Sequence, residues 1–218
     1  MTRLIQIPAE YLAAIAEGSD RIPRLYYARN RILRRMFWER LYCLNRLMQR
    51  VAHPTESCLD FGGGSGVFLP TLAQQYRSVT LLDLEAHQAR QVAKRYQLNN
   101  VNIVEGDAGT VQFTSRPFDA VVAADVLEHF QDLDLPVPRL HRWLKPGGML
   151  FTSLPTENWV YGMLRKIFGI EKPWDHYHTG PEVEAHLGRN GFRRVKSRYV
   201  PLGIPVAPLF LISAWRRE

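Results

Sequence analysis

Apolar positions along the chain follow two rhythms, and from residue 53 onward they alternate. Ser57 to Phe61, Ser78 to Leu82, Val101 to Glu105, Asp119 to Ala124 and Met149 to Leu154 are short and apolar at most positions, which predicts strands buried on both faces. Between them, Gly66 to Tyr76, Ala86 to Gln97 and the stretch from Val126 to Leu144 carry helical spacing. Strand and helix in alternation predict an α/β fold with a doubly wound parallel sheet. Beyond residue 180, Pro181 to Asn190 reads as a helix, Gly191 as its stop, and Phe192 to Val200 and Leu209 to Trp215 as two more strands.

The flanks read differently. Pro8 to Glu17 predicts a short helix closed by Gly18-Ser19-Asp20, and Pro23 to about Ala52 a longer one. In the longer helix Leu33, Phe37, Leu41, Leu44, Met48 and Val51 repeat by fours and threes, while Arg31, Arg34, Arg35, Arg46 and Arg50 form a basic face. His53-Pro54 ends it. The expected organisation is a helical cap over residues 1–52 and a main domain over 53–218. Within that domain, residues 155–180 are long for a connection and rich in aromatics and histidines, as a substrate lid would be.

Composition narrows the class. With 46% hydrophobic and 22% charged residues among 218, disorder and fibrous repeats are excluded. Cys43 and Cys58, on a helix and a buried strand, make neither a disulfide framework nor a metal pattern. The start has no basic, apolar and small-residue series of a secretion signal, so a cytoplasmic protein is expected. Tyr199 to Ala214 is broken by Pro201, Pro205 and Pro208 and is shorter than the roughly 20 residues of a membrane-spanning helix. Net charge is +7, but unevenly spread: residues 1–52 hold ten Lys/Arg against four Asp/Glu, 53–158 eight against twelve, and 159–218 ten against five. Such basic ends are read first as solvated helix faces, and second as attraction to a membrane surface, a phosphorylated substrate or RNA.

The chemistry starts at Cys58 to Gly66, C-L-D-F-G-G-G-S-G. Glycine permits the positive φ of a tight strand-to-helix turn and lets a ligand lie against the backbone. A dinucleotide fingerprint has its third glycine where this chain has Val67, and no phosphate-loop Lys-Ser or Lys-Thr follows. Acidic residues stand at the ends of successive strands: Asp60, Asp83, Asp107 and Asp125. Asp83 lies about 20 residues past the glycines, where a carboxylate takes ribose hydroxyls. Carboxylates converging on one crevice suit a ligand with a ribose and a positive charge, and repel a polyphosphate.

These residues resemble the successive motifs of the class I S-adenosylmethionine-dependent methyltransferases, small-molecule type. The likeness rests on L-D-F-G-G-G-S-G, Asp83, G-D-A at 106–108, A-D-V-L-E-H at 124–129 and L-K-P-G-G at 144–148. It runs from Cys58 to Leu154, with a family-like tail from Gly191 to Trp215. The resemblance implies a Rossmann-like sheet of seven strands with the last antiparallel, and S-adenosylmethionine as cofactor. It implies that Asp60, with Phe61, Gly62, Gly64 and Gly66, holds the methionine part. Asp83 with Leu84 would take the ribose, Asp107 and Ala108 the adenine, and Ala124 and Asp125 the methionine amine. Gly63 departs from the usual family residue.

In methyl transfer the protein aligns the acceptor and, for a hydroxyl or protonated amine, removes a proton. His129, His176 and His178 are the candidate bases. The His-x-His pair has no cysteine or second cluster beside it in the sequence, so no metal site is expected. No Asn/Asp-Pro-Pro-Tyr or Phe sequence follows the fourth strand, and no Pro-Cys nucleophile is present, which disfavours nucleic acid. Trp159, Met163 and Ile167 repeat at helical spacing around Arg165-Lys166. With Tyr161, Trp174 and Tyr177, Trp159 predicts a site for an apolar or amphipathic acceptor such as a lipid or quinone. The expected partners are that small molecule and a peripheral membrane surface. RNA methylation and non-catalytic cofactor binding stand as the alternatives.

Overall fold

The computed structural model describes residues 2–17, 22–113, 118–168, 175–201 and 208–218, without the side chains of residues 161, 164, 165, 167 and 168. Gly18-Ser19-Asp20 and Trp174 lie outside the described residues, as does the side chain of Tyr161. The strands are β1 (Ser57–Phe61), β2 (Ser78–Asp83), β3 (Val101–Glu105), β4 (Phe118–Ala124), β5 (Leu144–Pro155), β6 (Phe192–Val200) and β7 (Phe210–Arg217). They form one sheet in the order β3-β2-β1-β4-β5-β7-β6, with β7 antiparallel to both neighbours. The other pairings are parallel. The order reverses between β1 and β4, and a ligand crevice opens outside the strand ends at such a switch.

Alternation along the central strands divides the core in two. Cys58, Val79, Leu81, Ala120, Val122, Met149, Phe151, Ile212 and Ala214 face one side, where they meet α1 (Ala9–Ile15), α2 (Arg31–Arg50), α3 (Leu69–Gln75) and α4 (His87–Arg95). Leu59, Phe61, Leu82, Val121, Ala123, Leu150, Leu154 and Trp215 face the other, against α5 (Pro136–Trp143) and α7 (Gly180–Arg189). Trp38, Leu41, Leu44, Leu47 and Met48 of α2 belong to the first of these cores, so the N-terminal helices are built into the sheet's packing. The outer strand β6 exposes Arg193, Arg194, Lys196 and Arg198, charges that discourage edge-to-edge pairing.

Several elements differ from their expected bounds. The helix expected from Pro23 is split into a 3-10 turn (Arg24–Tyr26) and α2, because Asn30 caps α2. Its Oδ1 accepts from the N–H groups of Ile32 and Leu33 at 3.0 and 3.3 Å. The helix expected from Gly66 starts at Leu69, since Gly62, Gly64 and Gly66 take φ of 64°, 53° and 73°, which no helix residue adopts. The stretch after Val126 holds a 3-10 turn (Leu127–His129) and then α5, while α6 (Trp159–Phe168) follows β5. β5 itself begins at Leu144, which pairs with Phe118 before the register shifts and resumes at Ala120 and Met149.

Candidate active site

The glycine loop after β1 is shaped by what surrounds it. A Cβ on Gly62 would lie 2.2 Å from Val126 Cγ2, so the loop passes directly against the segment leaving β4. Gly63 is equally confined: a Cβ there would come within 2.6 Å of both Asp60 Oδ2 and Leu81 Cδ1. The departure from the family residue at 63 therefore matches the room available. At the other side, Gly64 N–H donates to Asp83 Oδ2 at 2.7 Å, and Glu85 N–H to Asp83 Oδ1 at 3.1 Å. One carboxylate thus ties the loop to the end of β2.

These elements surround a cleft of about 440 Å³. Phe61, Gly62, Gly64, Asp83, Leu84, Asp107, Ala108, Ala124, Asp125 and His129 all line it, from the ends of β1 to β4. Asp60 and Gly66 do not. Asp60 is buried beneath the loop, and Gly66 packs toward Leu69 and Ala89, so both shape the turn from below. Asp107 turns its carboxylate onto Gly109 N–H and holds the turn after β3. Leu84 leaves an apolar face 57% exposed next to Asp83, a surface on which a flat ring can rest.

Several lining residues went unnoticed in the sequence, among them Phe130 and Asp175 and, from the N-terminal region, Pro23, Tyr26 and Arg40. Arg40 is only 3% exposed. Its Nε donates to Asp125 Oδ2 and its Nη2 donates to the Tyr26 hydroxyl at 2.8 Å. Its guanidinium lies 3.6 Å from the centre of the Phe37 ring. Asp125 itself takes φ of 54°, with its N–H donating to Ser153 O at 2.8 Å and its Oδ1 accepting from Ser153 Oγ at 3.2 Å. The signal for Arg40 was available, since it stands three after Phe37 and four before Leu44, on the apolar stripe.

The histidines divide. His129 lines the cleft, and His176 meets its ring edge-on with 4.7 Å between centroids. His178 lies outside, with Nε2 3.3 Å from Gln131 O. Tyr177 donates its N–H to Glu128 O and accepts from Gln131 Nε2 at its hydroxyl, and neither it nor Trp159 lines the cleft. Trp159 stands 79% exposed on α6, with Met163 exposed one turn on.

Residues 59–152 match the model of a methyltransferase domain. The 2-methyl-6-phytyl-1,4-hydroquinone methyltransferase 1 of rice (Oryza sativa subsp. japonica) chloroplasts is 34% identical over 93 residues, which is 42% of this chain and 28% of that protein. The ubiquinone biosynthesis O-methyltransferase of Pseudomonas paraeruginosa is 32% identical over 120 residues, 53% of this chain and 51% of that one. The chain thus spans between about a quarter and a half of the length of these relatives. The solved structure of the N-methyltransferase NodS from Bradyrhizobium japonicum, in complex with S-adenosyl-L-homocysteine, agrees in fold. Its TM-score is 0.70 at 20% identity, covering 96% of this chain and 98% of that one. Residues 59–152 thus carry a methyltransferase domain, and the chain is similar in sequence and fold to the class I S-adenosylmethionine-dependent methyltransferases. The cofactor of this family is S-adenosylmethionine, and the cleft fits it: a side-chain-free cradle at Gly62–Gly64 faces carboxylates, with no Lys or Arg but the paired Arg40 among the lining residues.

Burial, and secondarily the charge of Asp83, pushes the Asp60 carboxyl up to about 7. The folded chain therefore holds a proton there that the unfolded chain gives up near pH ~4. Its contribution to stability falls as pH rises through that window and levels off above 7. A cationic ligand on the loop favours the carboxylate, so cofactor affinity should rise about fivefold from pH 6 to 8 for a one-unit fall in pKa on binding. Calorimetric titration checks this: the rise should flatten in Asp60→Asn, and identical slopes in the two proteins would remove Asp60 as its source.

Proposed function

We propose that the protein catalyses methyl transfer from S-adenosylmethionine to a small apolar or amphipathic acceptor, of the kind represented by quinone precursors and lipids. The observation that carries this reading is a carboxylate-lined cleft that opens beside His129 and is walled by the aromatic rings of Tyr26, Phe61 and Phe130. When bound, the cofactor supplies an activated methyl group on a sulfonium. The chain's task is alignment: Asp83 for the ribose, Asp107 and Ala108 for the adenine, and Ala124, Asp125 and the glycine loop for the methionine end. Of the candidate bases, His129 and His176 stand on the acceptor side and receive the acceptor's proton, while His178 lies apart from them.

The two curated relatives support a quinone-like acceptor, because hydroquinone and ubiquinone chemistry appear in their names. Exposed Trp159 and Met163 on α6, with Lys166 beside them, support contact with a membrane surface where such acceptors reside. No described helix is long and apolar enough to cross a membrane.

Incubation with methyl-labelled cofactor and a cell extract tests the reading. Label should enter the organic phase, resist nuclease treatment and appear by mass spectrometry as a metabolite heavier by one methyl. Label destroyed by nuclease would favour RNA as acceptor instead. Intact cofactor binding without turnover on any fraction would favour a non-catalytic binding protein.

A further inference from the structure

The fold gathers a cluster that the sequence leaves scattered. Glu128 and His129 lie on the 3-10 turn after β4, and His176 arrives from the segment beyond α6. One ligand atom from each of the three lies within 4.8 Å of the others. The sequence showed a His-x-His without a second cluster; the turn after β4 brings one to His176. Glu128 is fully buried, and neither of its carboxylate oxygens has a hydrogen-bond partner. His129 Nδ1 is also buried, and Asp175 Oδ2, although 2.9 Å away, stands off the line a hydrogen bond needs. Buried carboxylate oxygens without partners are unfavourable, and a cation shared with the two imidazoles would satisfy them.

His176 adds a further sign. Its Nδ1 is 2.8 Å from Glu157 Oε1, and both side chains are buried. A carboxylate on one ring nitrogen fixes the tautomer and leaves the other nitrogen's lone pair for a metal, an arrangement common around metal-ligating histidines. Two imidazoles and one carboxylate suit Zn²⁺, Co²⁺, Mn²⁺ or Fe²⁺ better than the oxygen-seeking Ca²⁺ or Mg²⁺.

We propose that Glu128, His129 and His176 bind one divalent transition-metal cation at the mouth of the cofactor cleft. His129 and Asp175 line that cleft, so the open positions of the ion face the acceptor. This deepens the proposed methyl transfer and, for a hydroxyl acceptor, rests on it. A hydroxyl on the ion is acidified and loses its proton to water. Its oxygen then forms the bond to the methyl carbon as the carbon–sulfur bond breaks, and that electron pair stays on sulfur. With the ion in place the imidazoles hold it, and water takes the proton that His129 or His176 receives in its absence.

The test uses the full metal-free chain titrated with Co²⁺, read by visible absorption and calorimetry, with S-adenosylhomocysteine affinity measured on the same samples. Wild type should take up one Co²⁺ per chain with a visible ligand-field band, and Glu128→Gln and His176→Ala should each weaken uptake at least about tenfold. If one variant loses S-adenosylhomocysteine binding, the other decides. Normal S-adenosylhomocysteine binding with no saturable Co²⁺ uptake overturns the site and leaves the methyltransferase reading standing. Uptake undiminished by a folded variant overturns it equally. One-to-one uptake lost in the variants supports the cation site even where no acceptor is methylated, an outcome that counts only against the methyl-transfer reading.

Discussion

Asp83→Ala is expected to lower affinity for S-adenosylmethionine at least about 100-fold, since two hydrogen bonds to a charged carboxylate at roughly 1.5–3 kcal/mol each amount to about 150-fold at the low end. Asp83 ends β2 at the lip of the cleft, and its Oδ2 already accepts the Gly64 N–H at 2.7 Å. The substitution removes both the group assigned to the ribose hydroxyls and the anchor of the glycine loop. Asp83→Asn separates the two, since an amide oxygen can still accept from Gly64 N–H but carries no charge. S-adenosylhomocysteine, which lacks the sulfonium, gives the second control. A ribose role predicts the same loss for both ligands, whereas a purely electrostatic role predicts a loss for the cation alone. Calorimetry decides, and unchanged affinity in Asp83→Ala would sink the ribose assignment.

That the ribose carboxylate could be named from sequence, while Arg40 could not, has a physical reason. β1, β2 and β4 are buried on both faces, so their apolar runs are almost unbroken, and the acidic residue ending each run marks the edge of the sheet. The positive φ at Gly62, Gly64 and Gly66 likewise follows from local chemistry. Contacts across the fold leave no such trace. Arg40 reaches Asp125, 85 positions away, and its role depends on how α2 packs across β5 and β7. Even so, an arginine on an apolar stripe is unusual enough to mark, because a guanidinium is seldom fully buried unless paired. Glu128 shows the same limit from another side. In A-D-V-L-E-H it reads as a polar residue on a helical segment, and only the packing of α7 and the return of residues 175–178 bury it completely. The break at Asn30 was legible in principle, as an Asn before Arg31 is an ordinary N-cap, but with no Gly or Pro between Pro23 and His53 the segment reads as one helix.

Arg40→Ala should destabilise the chain by about 3–5 kcal/mol, the usual effect of removing one partner of a buried ion pair. Arg40 and Asp125 are 3% and 21% exposed at their side chains, so little water is available to replace the lost partner. The Tyr26 hydroxyl also loses a donor, and burial, the largest influence on it, holds its pKa up at about 12. It remains neutral after the substitution and cannot take over the charge. Asp125 keeps Ser153 Oγ, which alone must then hold a side chain on a backbone at φ 54°. Loosening there displaces the residue assigned to the methionine amine, so cofactor affinity should fall together with stability. Arg40→Lys retains the charge but not the planar fork that reaches Asp125 and Tyr26 at once, and should fall between wild type and alanine. If the pair acts as a unit, Asp125→Asn combined with Arg40→Ala should lose markedly less than the sum of the single effects. Denaturant unfolding and cofactor titration of the four proteins measure both quantities. Additive losses would mean that Arg40 stabilises α2 by packing on Phe37, and that the bond to Asp125 contributes little to holding the cap over the cleft.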